Sequence, residues 1–199
     1  MKPRKKQNKH AKLLLSLFIV FIMISSIFGF LIGFGGTTPE QRIREHGINF
    51  DQFVDQGMVV YRAVIAGNEH YFFYLPSQLR HIEVDAQAAQ ILQEPYSLSF
   101  IAPQNNSGII DVVRTNLAYD FNQRGQTLPL GIGEPSDDYL GMPIIACDQQ
   151  TPVVMLVMDN QTKVTAQGNC ITASARSDVD LLAIGESLRY YSLGINIAS

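Results

Sequence analysis

The chain has 199 residues with 15 Lys and Arg against 18 Asp and Glu, a formal net charge of −3, two cysteines and no tryptophan. The charge is unevenly placed: Lys2, Arg4, Lys5, Lys6, Lys9 and Lys12 crowd the amino terminus, whereas every acidic residue follows Gly36. Beyond that point nine basic side chains face eighteen acidic ones, a formal charge of −9. Such a balance argues against nucleic acid as a partner, because phosphate binding needs clustered Lys and Arg.

Leu13 to Gly36 is a run of twenty-four residues without an ionisable side chain. At about 1.5 Å per residue a helix of this length covers the roughly 30 Å hydrocarbon core of a bilayer. The basic head places the amino terminus on the cytoplasmic side. A cleaved secretory signal has a shorter apolar core and a small-x-small site, so the segment reads as a permanent single-pass anchor in the lipid bilayer. Gly29 and Gly33, with Gly36 near the same face, are spaced to let two membrane helices approach closely, which makes a homo-oligomer one expectation and an envelope protein partner another. The expected organisation is a cytoplasmic head over 1–12, a transmembrane helix over 13–36, a juxtamembrane segment over 37–56 and an extracytoplasmic domain over 57–199.

Thr38 and Pro39 are suited to open a short helix running to about His46, with Gly47 as its stop. The β-branched and aromatic runs 58–65 and 70–75, joined by Ala66-Gly67-Asn68-Glu69, predict a hairpin. The stretch to Gln93 reads as helical in pieces, with Asp85 as a cap and Pro95 as the stop. A strand follows over 96–102, then a polar loop over 103–107. Ile110, Val113, Leu117 and Phe121 then recur at helical spacing, with Asp111, Arg114, Asp120 and Asn122 elsewhere on the wheel, and Gly125 ends that helix.

Residues 126–143 hold Gly131, Gly133, Gly141, Pro129, Pro135 and Pro143 and read as a long irregular loop whose tip, Asp137 and Asp138, is the candidate exposed contact. Strands are expected over 144–147, 153–158, 162–167 and 170–175. Ser177 with Asp180 caps a last helix faced by Leu181, Ile184, Leu188 and Tyr191. The matching pairs Leu117/Tyr119 and Leu188/Tyr190 raise the idea of two β-β-β-α units around one sheet. The fold class is α+β, with helices packed on a mostly antiparallel sheet.

Cys147 and Cys170 are the only cysteines, and both follow the anchor, so a disulfide between them is expected. Asn105 and Asn160 stand in glycosylation sequons placed in turns. For catalysis the residues offer little. No serine occupies a nucleophile elbow, and Gly185-Glu186-Ser187 reads as the polar surface of a helix. The cysteines lack Cys-x-x-Cys spacing for zinc, and Gly131-Ile132-Gly133 runs into Glu134 and Pro135 where a phosphate cradle needs a helix start. No cofactor or metal is expected. The reading is a non-enzymatic binding, scaffolding or assembly protein of the cell envelope. The alternative is an envelope hydrolase assembled from distant residues, His70, His81 and the acids of the 126–143 loop.

Overall fold

The computed structural model describes residues 41–55, 57–101, 108–147 and 150–197. The expected membrane helix, with Gly29, Gly33 and Gly36, lies outside them, as do Asn105 and the whole of the 103–107 loop. Among the described residues no helix is long and apolar enough to cross a membrane.

The first sheet is a four-stranded antiparallel meander of β1 (Gln41–Glu45), β2 (Ile48–Asp55), β3 (Met58–Ile65) and β4 (Asn68–Phe72). The helix expected up to His46 is therefore a strand. Its alternation decides the matter: Ile43 turns inward opposite Phe50, while Arg42 turns outward to meet Asp51 at 2.8 Å, a period of two that a helix would scramble. Among the described residues the folded unit begins with β1, so the segment expected to be juxtamembrane, 37–56, supplies half of this sheet.

The meander is built from two-residue turns. His46 and Gly47 have φ of +47° and +77°, and Ala66 and Gly67 have +52° and +86°, the mirror-image geometry whose twist matches paired strands. Gly57, at φ +81°, lies between the paired Asp55 and Met58. The expected hairpin over 58–75 is present as β3 and β4, with the turn two residues long.

The second sheet has six strands: β5 (Glu83–Val84), β6 (Ser97–Phe100), β7 (Leu130–Ile132), β8 (Val153–Met158), β9 (Lys163–Gln167) and β10 (Cys170–Ala175), in the order β5-β9-β10-β8-β6-β7. Only β9 and β10 pair antiparallel; the other neighbours are parallel. The α+β class and the antiparallel character hold for the meander, and the mixed sheet is the addition. Parallel pairing requires crossovers, and the helix α2 (Ile109–Gln123) is the one between β6 and β7. The short helix α1 (Ala86–Ile91) starts at Asp85, whose carboxylate accepts from the Gln87 N–H at 2.8 Å. The last helix, α3 (Asp178–Ser192), starts at Ser177, whose hydroxyl accepts from the Asp180 N–H at 3.2 Å.

Two further expectations change. Strand β7 runs through the supposed loop of 126–143, leaving a 3-10 turn at Asp137–Tyr139, and the strand expected over 144–147 reduces to a bridge between Ile132 and Ile144. Duplication around one sheet fails, because β3 and β4 belong to a different sheet from β6, whereas β8, β9 and β10 share one.

Among the described residues one apolar core joins the two sheets and the helices. Leu98, Phe100, Val154, Leu156, Ile171 and Ala173 of the mixed sheet are buried with the expected α2 stripe of Ile110, Val113, Leu117 and Phe121. Helix α3 is buried nearly all round from Ala183 to Ser192. It packs on α2 so closely that a Cβ at Gly185 would fall 2.7 Å from the Val113 side chain. On its other side Tyr190 stacks on Phe72 of the meander, ring centroids 4.4 Å apart.

Ala66 sits in left-handed backbone where a Cβ is disfavoured by roughly 1–2 kcal/mol. Ala66→Asn, which suits that turn position, should raise unfolding stability by about 1 kcal/mol in urea titration; an unchanged or lower midpoint would mean the turn is not strained.

Candidate functional site

Charged residues are almost never fully buried unless paired, yet Asp120, Glu186 and Arg189 are 0 %, 1 % and 2 % exposed, and His70 is 1 %. Three elements supply them: β4 carries His70, α2 carries Asp120, and α3 carries Glu186 and Arg189 one turn apart. Arg189 is the hub. Its Nε and Nη2 donate to the two Asp120 oxygens at 2.6 and 3.1 Å, and its Nη1 donates to Glu186 at 2.6 Å and to the Tyr71 carbonyl at 2.7 Å. The second Glu186 oxygen accepts from the Phe73 N–H at 2.8 Å. His70 Nδ1 lies 2.8 Å from Asp120 Oδ1, and the guanidinium covers the Phe72 ring at 4.6 Å.

The backbone partners explain the placement. Strand β4 is the last of its sheet, and its free edge would leave backbone groups unpaired in the interior. Arg189 and Glu186 bond two of these groups, and the Tyr119 hydroxyl lies 3.5 Å from a third, the Glu69 carbonyl. Side chains of the helices thus stand where a fifth strand would.

Electrostatics follow from the same contacts. Burial pushes the Asp120 carboxyl up, but hydrogen bonds from His70 and Arg189 outweigh it and hold the group below its ordinary value. For Glu186 burial again pushes up, and Arg189 with the Phe73 N–H does not cancel it, so this carboxyl lies above its ordinary value. Burial lowers Arg189, but its two carboxylates more than compensate and leave it raised.

A histidine held by an aspartate is half of a nucleophilic triad, but general-base work needs reach to a substrate proton. Here both partners lie in the core, and among the described residues no hydroxyl or thiol bonds the His70 ring. The cluster is built to hold elements together. A shallow hollow of about 250 Å³ opens beside it, lined by Tyr71, Asn116, Tyr119 and Arg189.

The other candidate residues separate. Cys147 and Cys170 are joined in a disulfide, Cα atoms 5.4 Å apart, which pins the segment after the Ile144 bridge to the start of β10. Asp137 and Asp138 are exposed on their 3-10 turn, next to Leu140 at 82 % exposure. His81 is exposed with Nδ1 3.0 Å from the Gln78 carbonyl, away from the interior where His70 sits. Among the described residues no group of His, Cys, Asp or Glu is placed to hold a metal. The Gly185-Glu186-Ser187 string is the clearest correction: it is buried core, with Gly185 at a helix crossing and Glu186 in the ion cluster. Comparison with family models, with curated proteins and with solved structures found no match to this chain.

The sequence signal for the cluster was available. Glu186 and Arg189 form an i, i+3 pair inside a helix whose other positions are mainly Leu, Ile, Ala and Tyr, which leaves no polar face for either.

The two carboxyls act on stability with opposite signs. With its folded value raised, Glu186 binds more protons in the folded state above pH 4.5, so its contribution falls as pH rises through that window. Asp120, depressed, contributes stability above pH 3.8 that is lost as pH falls toward its lower folded value. Glu186→Gln removes only the first effect. Its stability relative to the wild type should improve as pH rises from about 4.5 to 7, read by urea unfolding at several pH values; a difference independent of pH would mean that Glu186 is not perturbed.

Proposed function

We propose that this chain is a single-pass membrane protein, amino terminus in the cytoplasm, whose folded unit stands outside it and serves as a non-enzymatic binding or assembly component of the cell envelope. The observation that carries the location is the Cys147–Cys170 disulfide, because such bonds persist in oxidising compartments. The apolar run of 13–36 behind its basic head supplies the anchor and its orientation. The assembly role is supported by the use made of the polar interior. The deepest charged groups are spent on fixing β4 against the helices, while carboxylates such as Asp137 and Asp138, and apolar side chains such as Leu140, are left on the surface.

Protease added to intact cells should remove the folded unit while the tagged amino terminus stays protected, and thiol alkylation without reductant should modify neither cysteine. A protected carboxyl-terminal part, or two free thiols, would overturn the location. Crosslinking in native membranes tests the role: a recurring neighbour protein or a self-linked species is expected, and an unlinked monomer at all reagent lengths would oppose it. Replacing both cysteines by alanine should cost about 3 kcal/mol in the chain-entropy view of a loop this size, measured by denaturant unfolding, and reductant should cost the wild type the same.

A further inference from the structure

The meander is uneven at one end. In its register Gln41, Gln52, Tyr61 and Phe72 form a row across all four strands, and β2 and β3 continue past that row to the pair Asp55 and Met58. At about 3.3 Å per residue the hairpin projects roughly 10 Å beyond its neighbours. Its side chains there are apolar on both faces: Phe53 pairs with Val60, and Val54 with Val59. Val54, Met58 and Val59 are 43 %, 55 % and 39 % exposed, although Val54 and Val59 point to the side that farther along the sheet is core. A ribbon apolar on both faces is a feature that needs a covering surface.

The chain path indicates which surface. Strand β1 enters the sheet at Gln41, in the row from which the ribbon projects, and only residues 37–40 separate it from the apolar run ending at Gly36. Fully extended, that connection reaches at most roughly 18 Å. We propose that the β2–β3 ribbon is a lipid-contact element that lies against the bilayer interface, burying Phe53, Val54, Met58, Val59 and Val60 among the acyl-chain ends. This rests on the membrane-anchored reading above. Attraction by charge is not its basis, since the folded unit is acidic and anionic headgroups repel such a surface; the contact is apolar and insensitive to salt.

The absence of tryptophan from the chain provides a clean probe. Full-length Met58→Trp is reconstituted in phosphatidylcholine vesicles with or without lipids brominated along the acyl chain. A matched reporter, Val64→Trp, sits on the same strand and face, 59 % exposed, six residues or roughly 20 Å toward the opposite end. The expected result is blue-shifted emission from position 58 that brominated lipid quenches at low and high salt, with position 64 unquenched. Adding Val59→Asp to the Met58→Trp protein should abolish the quenching.

Equal, negligible quenching at both positions in protein that resists alkaline extraction would overturn the lipid contact and leave the anchor standing. Extraction of the protein by alkali would overturn the anchor as well. A blue shift that depends on protein-to-lipid ratio without bromine quenching would assign the ribbon to a second copy of the chain and likewise overturn the proposal.

Discussion

Arg189 is the residue on which the two sheets depend. A guanidinium offers five donors in a planar fork, and here four hydrogen bonds from that fork meet a carboxylate on α2, a carboxylate on its own helix and a backbone carbonyl of β4. Those partners can be satisfied together in only one docking of meander on helices. Desolvating three charged groups is expensive, and removing one member of a buried pair typically costs about 3–5 kcal/mol because the other is left unpaired. The cluster therefore acts less as a source of net stability than as a lock on geometry: sliding β4 past α3 would leave the Tyr71 carbonyl, the Phe73 N–H and the His70 ring without their partners in the interior. Tyr190 stacked on Phe72, and its hydroxyl bonded to the Tyr74 carbonyl at 2.7 Å, reinforce the same contact from the neighbouring helical position.

What could be read from the residues was local. The α2 stripe, the Asp85 and Ser177 caps, the β3–β4 hairpin and the cystine all follow from patterns spanning a few residues, or from a residue pair with one possible partner. The meander's first half was missed because Pro39 and Gly47 look like helix punctuation; the better signal was the recurrence of Gly47, Gly57 and Gly67 every ten residues, one turn per hairpin. The mixed sheet was beyond local reading. Its parallel neighbours β6 and β8 are separated by a helix, a further strand and a 3-10 turn, and nothing in either strand names the other. Glu186 reads as surface for a related reason: α3 is covered on more than one side, so the assumption that a polar residue marks a solvent face does not apply to it.

The outer face of the meander contrasts with the inner. Across four strands Arg42, Asp51, Arg62 and Glu69 form a ladder of ion pairs at 2.8, 3.0 and 3.5 Å. Paired in water, such charges add little stability, but they keep the middle of that face polar, between the exposed Met58 at one end and Val64 at the other. The folded unit therefore combines charged groups locked in its interior with a disulfide-linked carboxyl-terminal half.

The lock on β4 is tested most directly by native-state hydrogen exchange at the Phe73 amide. That N–H has a carboxylate as its partner, so its protection reports the cluster itself. If Arg189 and Glu186 hold the meander to α3, Phe73 should exchange only through global unfolding, with the same opening free energy and denaturant dependence as the central amides of α3. Exchange of Phe73 at much lower free energy, while α3 stays protected, would show that the meander opens on its own and that the buried charges do not join the two layers.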